Sequence, residues 1–503
     1  MNATTIALSL ISHTNAGKTT LARTLLGRDI GEVGAAPHVT LEAAAYTLQT
    51  TAQGDALVLW DTPGFGNSAR LAQRLAAHSD AIGWLLAQTW DRFREPGFYL
   101  SQRAVRNVRD EADVVLYLVN AAESPSDTGY LTPELDVLGW IARPTFVLLN
   151  QTGRPRGHAA AAEDEARWLA AVGQRPFIRG VLSLDAFTRC WVQESVLLAA
   201  LAPAVPGHKQ AAYGRLVAAW QARRVAQFDA AMEAIAAPVA LAACDRVVLT
   251  DDSDAGGRWL GAVRSLAVRP LRNRNARDAA TALAARLDAA VRDSTNRLIA
   301  LHDLEGSAGA AVRAQLGEHV RVDAPLHEGK AALMGSLVSG ALAGLAADLA
   351  AGGLSLGAGT LVGAIAGALG GRGVARGYNV LRGHTRPVLQ WDEELLDDLV
   401  AAAILRYLAV AHFGRGRGAW TEDEDPAFWR DTVQRELRTR RSALEALWQR
   451  RGRDCEALRM EADLRAFLAA CTHAVLLALY PVLREPGAKS WFEVPRASPP
   501  KRA

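Results

Sequence analysis

Ser12-His13-Thr14-Asn15-Ala16-Gly17-Lys18-Thr19-Thr20 sets a glycine, a lysine and a pair of threonines at the spacing of a loop that wraps phosphates. An apolar run precedes it and an amphipathic helix, Leu21–Leu26, follows it. That context aims backbone N–H groups and a helix N-terminus at an anion. Asn15, Ala16, Gly17 and Thr20 supply loop backbone, Lys18 reaches the β- and γ-phosphates, and the Thr19 hydroxyl ligates Mg²⁺. Ser12 stands where GxxxxGK[ST] has its first glycine, which costs some turn freedom. The chain has 51 arginines and five lysines, and no lysine other than Lys18 falls before residue 209, so this position asks for a compact charge on a flexible stem.

Further groups of matching chemistry follow in order. Asp61-Thr62-Pro63-Gly64 closes a strand pattern and fits DxxG, in which the Asp61 carboxylate holds a Mg²⁺-bound water and the Gly64 N–H meets the γ-phosphate. Thr40 lies in the connection where a switch threonine closes on Mg²⁺; an ordinary loop threonine is the alternative. Asn150-Gln151-Thr152-Gly153 ends a later strand at the place of a base-reading NKxD, and Ser183-Leu184 ends the next, where a short backbone motif supports the base. Residue 65, directly after Asp61-Thr62-Pro63-Gly64, is Phe65, whose side chain does no hydrogen-bond chemistry and cannot orient an attacking water, so any unaided hydrolysis of a bound nucleotide is expected to be slow.

The elements that must position these groups alternate. Ile6–Ile11, Ala56–Trp60, Val114–Val119, Thr145–Leu149 and Ile178–Leu182 are short apolar runs separated by helical patterns. That alternation predicts an α/β domain with a mainly parallel sheet and helices on both faces. Gln53-Gly54-Asp55 reads as the turn of one antiparallel hairpin. After Pro203 and Pro206 strand signals nearly vanish and helical periodicity takes over. The expected organisation is a nucleotide-binding domain over 1–203, a helical region over 204–330, a Gly/Ala-rich apolar hairpin over 331–377, a helical C-terminal region over 378–490 and a tail over 491–503.

At this point residues 1–200 resemble the Era/TrmE-like branch of bacterial P-loop GTPases, of the translation-factor class, through Asn15-Ala16-Gly17-Lys18-Thr19 and Asp61-Thr62-Pro63-Gly64-Phe65-Gly66. The resemblance implies GTP and GDP as ligands, Mg²⁺ as cofactor and GTP hydrolysis, with Asn15, Lys18, Thr40 and Gly64 as the catalytic set. In that family the asparagine at the position of Asn15 helps hold a K⁺ ion that supplies positive charge in the transition state; a helix-entry asparagine held locally is the alternative reading. The chain departs from the family at Gly153, which stands where an aspartate reads guanine. Asp185 could substitute, or could cap the helix that follows it.

The rest of the chain points less sharply. Net charge is +3 on 56 basic and 53 acidic residues, which excludes a general field for nucleic acid or anionic lipid. Cys190, Cys244, Cys455 and Cys471 show no paired spacing, so neither a disulfide framework nor a zinc site is expected, and a cytoplasmic, reducing setting fits. Asp61 to Asn150 spans 89 residues, with Trp84, Trp90, Phe93, Phe98 and Tyr99 read as the core of an added helix pair in preference to a switch-linked surface. Arg103, Arg106 and Arg109 read as one solvated helix face.

Ala331–Gly371 holds one charge, Asp348, in 41 residues, and Gly359, Gly363, Gly367 and Gly371 recur at the spacing of close helix packing. It is a candidate membrane hairpin, with a tightly packed soluble hairpin as the alternative. Arg435, Arg438, Arg440, Arg441, Arg450, Arg451 and Arg453 alternate with Glu436, Glu445 and Glu456, the pattern of a salt-bridged solvated helix. The leading expectation is a regulatory or mechanical GTPase acting through its helical region on the cytoplasmic membrane or a protein partner. A ribosome- or RNA-associated GTPase ranks below it, beside a nucleotide-binding scaffold with little hydrolysis.

Overall fold

The computed structural model describes residues 3–14, 16–28, 30, 43–65, 68–76, 96–151, 158–173, 175–184, 190–248, 274–304, 388–391, 393–413, 427–451 and 455–481. Asn15, Thr40, Gly153, Asp185, Trp84, Trp90, Phe93 and the whole of Ala331–Gly371 lie outside these residues. The chain forms two compact units, Met1–Ala226 with Ala411–Gly418 and Leu477–Ala503, and Gln227–Val410 with Ala419–Leu476.

The first unit is built on six strands, β1 (Thr5–Ser12), β2 (Ala44–Thr50), β3 (Ala56–Asp61), β4 (Val114–Asn120), β5 (Thr145–Asn150) and β6 (Ile178–Ser183), in the order β2-β3-β1-β4-β5-β6. Only β2 runs antiparallel, joined to β3 through a turn in which Gly54 takes φ +85°. All but the last residue of β4, and every residue of β5, are buried, which requires cover on both faces of the sheet. One face packs Ile11, Tyr117, Val119, Val147 and Leu149 against Phe98, Val105, Val108, Leu135 and Trp168 of the helices.

Parallel register brings the strand ends together. Leu10 pairs with Asp61, Asn120 with Asn150 and Leu149 with Ser183. The segments after β1, β3, β5 and β6 therefore share the carboxyl edge, where ligands bind in open α/β sheets. At the opposite edge, Lys209 Nζ lies 2.8 Å from Asp113 Oδ2, and Arg215 Nε lies 2.8 Å from Asp55 Oδ2. These pairs fasten the start of the long helix Gln210–Cys244 away from the chemistry.

Phe98 is buried on the helix Pro96–Asp110, in line with the core reading of that aromatic. Along the same helix Arg106 is exposed, and Arg109 pairs with Asp110 at 2.6 Å.

In the second unit the helices Arg274–Leu301, Glu393–Ala411, Ala427–Thr439, Arg441–Trp448 and Ala457–Leu479 carry the core together with the later turns of Gln210–Cys244. Arg246–Val248 and Val388–Gln390 add a two-stranded antiparallel pair. The arginine-rich stretch is salt-bridged as its pattern predicts, with Arg440–Glu436 at 2.6 Å and Arg441–Glu445 at 2.8 Å, each one helical turn apart.

One expectation is corrected. Cys244 and Cys455 form a disulfide with their Cα atoms 5.6 Å apart, although 211 residues separate them in sequence. Linear spacing carries no sign of such a bond, because the fold alone brings the end of one helix to the approach of another. Cys190 and Cys471 are buried and take no part in a disulfide.

Among the described residues, Gly207–Cys244 and Ala457–Leu479 are long and apolar enough to cross a membrane by length and composition. Of the most apolar stretch, 50% is buried inside the protein in the first and 39% in the second.

Candidate nucleotide site

The phosphate loop starts where β1 ends. Ser12 is still strand, outside the left-handed region, so serine in place of glycine puts no strain on the turn. Its hydroxyl accepts a hydrogen bond from Lys18 Nζ at 2.9 Å and lies 2.5 Å from the His13 carbonyl. The expected cost of losing that glycine is therefore corrected: the serine side chain holds the lysine.

Gly17 is where glycine is required. It adopts φ +87°, caps the helix Lys18–Leu26, and a Cβ there would sit 2.6 Å from Asn150 Nδ2. Gly64 is needed for close approach, since its Cβ would lie 3.0 Å from Lys18 Nζ and 3.2 Å from the Thr14 backbone.

Lys18 and Asp61 are both buried beside each other's field. Burial holds the Lys18 ammonium below the ordinary lysine value, against the pull of the Asp61 and Glu134 carboxylates. Burial likewise raises the Asp61 carboxyl, opposed by its hydrogen bond from Thr19 and the charges of Lys18 and Arg23. Thr19 Oγ1 donates to Asp61 Oδ2 at 2.8 Å, while Asp61 Oδ1 is buried with no hydrogen-bond partner among the described residues. A hydroxyl beside a carboxylate that keeps one orphaned oxygen is the oxygen donor chemistry that Mg²⁺ prefers, and the residues fit that ion. Thr20, on the same helix, is buried.

At the far end of the edge, Asn150 is fully buried and its Nδ2 donates to the Ala16 carbonyl at 2.8 Å. It thus ties the candidate base-reading loop to the phosphate loop. Gln151 follows with φ +56°, a left-handed conformation uncommon outside glycine. The Ser183 N–H donates to Glu165 Oε1 at 2.7 Å and the Leu184 N–H to the Leu149 carbonyl at 3.0 Å, which leaves the buried Ser183 hydroxyl as the unpartnered group of that pair. The helix Trp191–Leu201 has Cys190 at its N-cap, whose N–H donates to Gln193 Oε1, while Asp185 lies outside the described residues.

Phe65 is a wall and not a reagent. Its ring is fully buried in the sheet core, and its N–H donates to the Ser12 carbonyl at 2.9 Å.

A cluster that sequence reading did not single out lies behind the loop. His13 Nδ1 is 2.7 Å from Glu134 Oε1, Tyr117 OH donates to Glu134 Oε2 at 2.8 Å, and the Tyr130 ring stacks on His13 with centroids 4.3 Å apart. A signal existed. Leu131, Glu134, Leu135 and Leu138 share the buried stripe of one helix, so helical spacing alone places a carboxylate on an apolar face.

Residues 8–151 match the family model described as 50S ribosome-binding GTPase. No curated protein matches the chain. Solved structures resemble it at low identity. Era in complex with MgGDPNP and a segment of 16S ribosomal RNA is 14% identical, with TM-score 0.27 over 37% of this chain and 52% of its own. An Era variant from Aquifex aeolicus bound to GDP and aluminium fluoride is 16% identical, with TM-score 0.29 over 40% and 57%. A GTP-binding protein from the archaeon Sulfolobus solfataricus in complex with GDP is 15% identical, with TM-score 0.23 over 36% and 46%. The chain spans about half the length of these structures. Residues 174–464, more than half of the chain, match the model described as Domain of unknown function (DUF3482), and the protein belongs to that family, with a P-loop GTPase domain preceding the matched region.

Proposed function

We propose that the chain is a GTP-binding switch of the Era/TrmE-like branch that hydrolyses GTP slowly and acts through its helical region. The observation that carries this reading is the buried Lys18, Thr19 and Asp61 group with its unpartnered Asp61 oxygen, set against Gly64 at one end of the sheet. Lys18 meets the β- and γ-phosphates, and the backbone of Asn15, Ala16, Gly17, Thr19 and Thr20 lines the loop. Thr19, with Asp61 through a water and Thr40 from the switch, holds Mg²⁺, which neutralises phosphate charge when bound. Gly64 offers its N–H to the γ-phosphate, and Asn150, Gln151, Ser183 and Leu184 border the base.

Phe65, fully buried, leaves the attacking water without a glutamine, which supports slow hydrolysis. Positive charge then comes from a K⁺ ion held with the help of Asn15. The G domain over 1–203 works with the helical regions 204–330 and 378–490, and the hairpin 331–377 associates with the cytoplasmic membrane.

The test has two stages. Calorimetric titration of the full chain with GDP and GTP, with and without Mg²⁺, should give Mg²⁺-dependent binding of both, and binding of neither sinks the site assignment. Single-turnover hydrolysis in KCl and NaCl at equal ionic strength should then be faster in K⁺ and lose that preference in Asn15→Ala. Equal rates overturn the cation mechanism alone. Salt-resistant pelleting with vesicles supports the membrane reading, and salt-sensitive sedimentation with ribosomes supports the RNA-associated alternative.

A further inference from the structure

Glu134 is fully buried, and donors from three different elements converge on its carboxylate. His13 comes from the phosphate loop, with Nδ1 2.7 Å from Oε1; Tyr117 comes from β4, with its hydroxyl 2.8 Å from Oε2; Ser68, the first residue of the helix Ser68–Ala76, donates its side-chain hydroxyl. Burial raises the Glu134 carboxyl, and these three hydrogen bonds act against that rise. Tyr130 stacks on the outer face of His13 and donates its own hydroxyl to Glu123 at 2.9 Å, so the imidazole is held on two sides.

The Asp61–Phe65 segment runs between anchors. Thr62 Oγ1 donates to the Leu10 carbonyl at 2.6 Å and the Phe65 N–H to the Ser12 carbonyl at 2.9 Å. Ser68, the next described residue, is fixed by Glu134. A carboxylate suits that point because it is acceptor-only at both oxygens. A glutamine would turn an NH₂ group toward one of the three donors.

We propose that Glu134 is a positioning residue that fastens the first turn of the helix Ser68–Ala76 to the phosphate loop, holding the segment before it where Gly64 meets a γ-phosphate. The inference rests on the nucleotide reading above. GDP lacks the γ-phosphate and makes no demand on Gly64, so the junction favours the triphosphate state and leaves GDP binding alone. A Ser68 that leaves Glu134 as the segment moves gives up a hydrogen bond to a buried charge, which ties the position of that helix to the nucleotide.

The mild variant is Ser68→Ala in the full chain, with Ser68→Thr as the conservative rescue and Glu134→Gln as the second probe. Affinity for GDP and for a non-hydrolysable GTP analogue is measured by titration, and hydrolysis under single-turnover conditions. Ser68→Ala should keep its GDP affinity within about twofold while analogue affinity and hydrolysis rate fall about tenfold, the scale of one hydrogen bond to a charged group. Ser68→Thr should restore both, and Glu134→Gln should shift them the same way without adding to Ser68→Ala. Wild-type analogue affinity and rate in Ser68→Ala, or GDP and analogue affinities falling by the same factor, overturns the inference. A wild-type chain that binds neither nucleotide is a separate outcome, since it removes the site itself.

Discussion

At the carboxyl edge of the sheet, Lys18, Asp61, Glu134 and Asn150 are buried polar groups drawn from distant parts of the chain, and they bond to one another's elements across the edge. Inside the helical unit three buried hydroxyls close on backbone carbonyls instead. Thr295 Oγ1 donates to the Val291 carbonyl at 2.8 Å and Thr432 Oγ1 to the Phe428 carbonyl at 2.7 Å, each within its own helix, while Ser294 Oγ donates to the Ala234 carbonyl at 2.6 Å. The first pattern leaves an oxygen of Asp61 open beside Lys18 and Thr19, where a ligand can complete it; the helical unit also leaves the buried Thr472 hydroxyl without a hydrogen-bond partner among the described residues, but with no such set of groups converging on it. Burial of polar groups indicates chemistry only when the bonds they lack point to one place.

The sharpest way to break this contrast is Lys18→Ala. It removes a buried cation that lies 2.9 Å from Ser12 Oγ, in the field of the Asp61 and Glu134 carboxylates. Loss of a buried charged contact to phosphate is expected to cost about 4 kcal/mol, near a thousandfold in nucleotide affinity. Titration with GDP measures it. Unchanged affinity would falsify the assignment of this edge as the nucleotide site.

Breaking the Cys244–Cys455 disulfide probes the other side. A bond closing so long a loop is expected to contribute about 3 kcal/mol to stability. Cys455→Ser should therefore lower the urea midpoint of the helical unit, with GDP affinity unchanged because no residue of the phosphate loop is touched. A shift of GDP affinity of more than about threefold would show that the order of the helical unit is read at the nucleotide site, and the contrast would need redrawing as a coupling.

Asn150→Ala separates scaffold from ligand contact at the edge itself. Its amide donates to the Ala16 carbonyl from a fully buried position. Removing it leaves that carbonyl without its partner, at about 1.5 kcal/mol, or about tenfold in affinity. GDP and ATP titrations should weaken by a similar factor if Asn150 acts by holding the loop. A loss confined to the guanine nucleotide would assign it to the base.

The strands and the strand–loop–helix setting of the phosphate loop are legible because periodicity and loop chemistry are local signals. Ile6–Ile11, Ala56–Trp60, Val114–Val119, Thr145–Leu149 and Ile178–Leu182 all fall within observed strands, and the glycine turn before Ala56 lies where the hairpin requires it. What sequence could not reveal is pairing at a distance. Glu134 meets His13 across 121 residues, and Cys244 meets Cys455 across 211. Ser12 was misjudged for a related reason. The GxxxxGK pattern records a residue type and does not reveal that the strand here extends through Ser12, where its hydroxyl can hold Lys18.

Arg406 is one point at which the helical unit departs from that pattern, and it carries the smallest expected effect. Its guanidinium is buried on the helix Glu393–Ala411, Nη2 donates to Ser294 Oγ at 3.1 Å, and Nε has no hydrogen-bond partner among the described residues. Burial pulls it well below the ordinary arginine value, to about 10, and no carboxylate is among the causes acting against that fall. A desolvated cation with so little compensation opposes folding, whereas its methylene stem packs like any apolar chain. Arg406→Met keeps the stem and removes the charge. It should raise the stability of the helical unit by about 1 kcal/mol in urea unfolding, opposite in sign to the disulfide variant, with GDP affinity unchanged. A loss of stability of similar size would mean that the guanidinium is held by an anion after all. The helical unit would then bury an open polar site of its own, and the contrast with the sheet edge would fail at that residue.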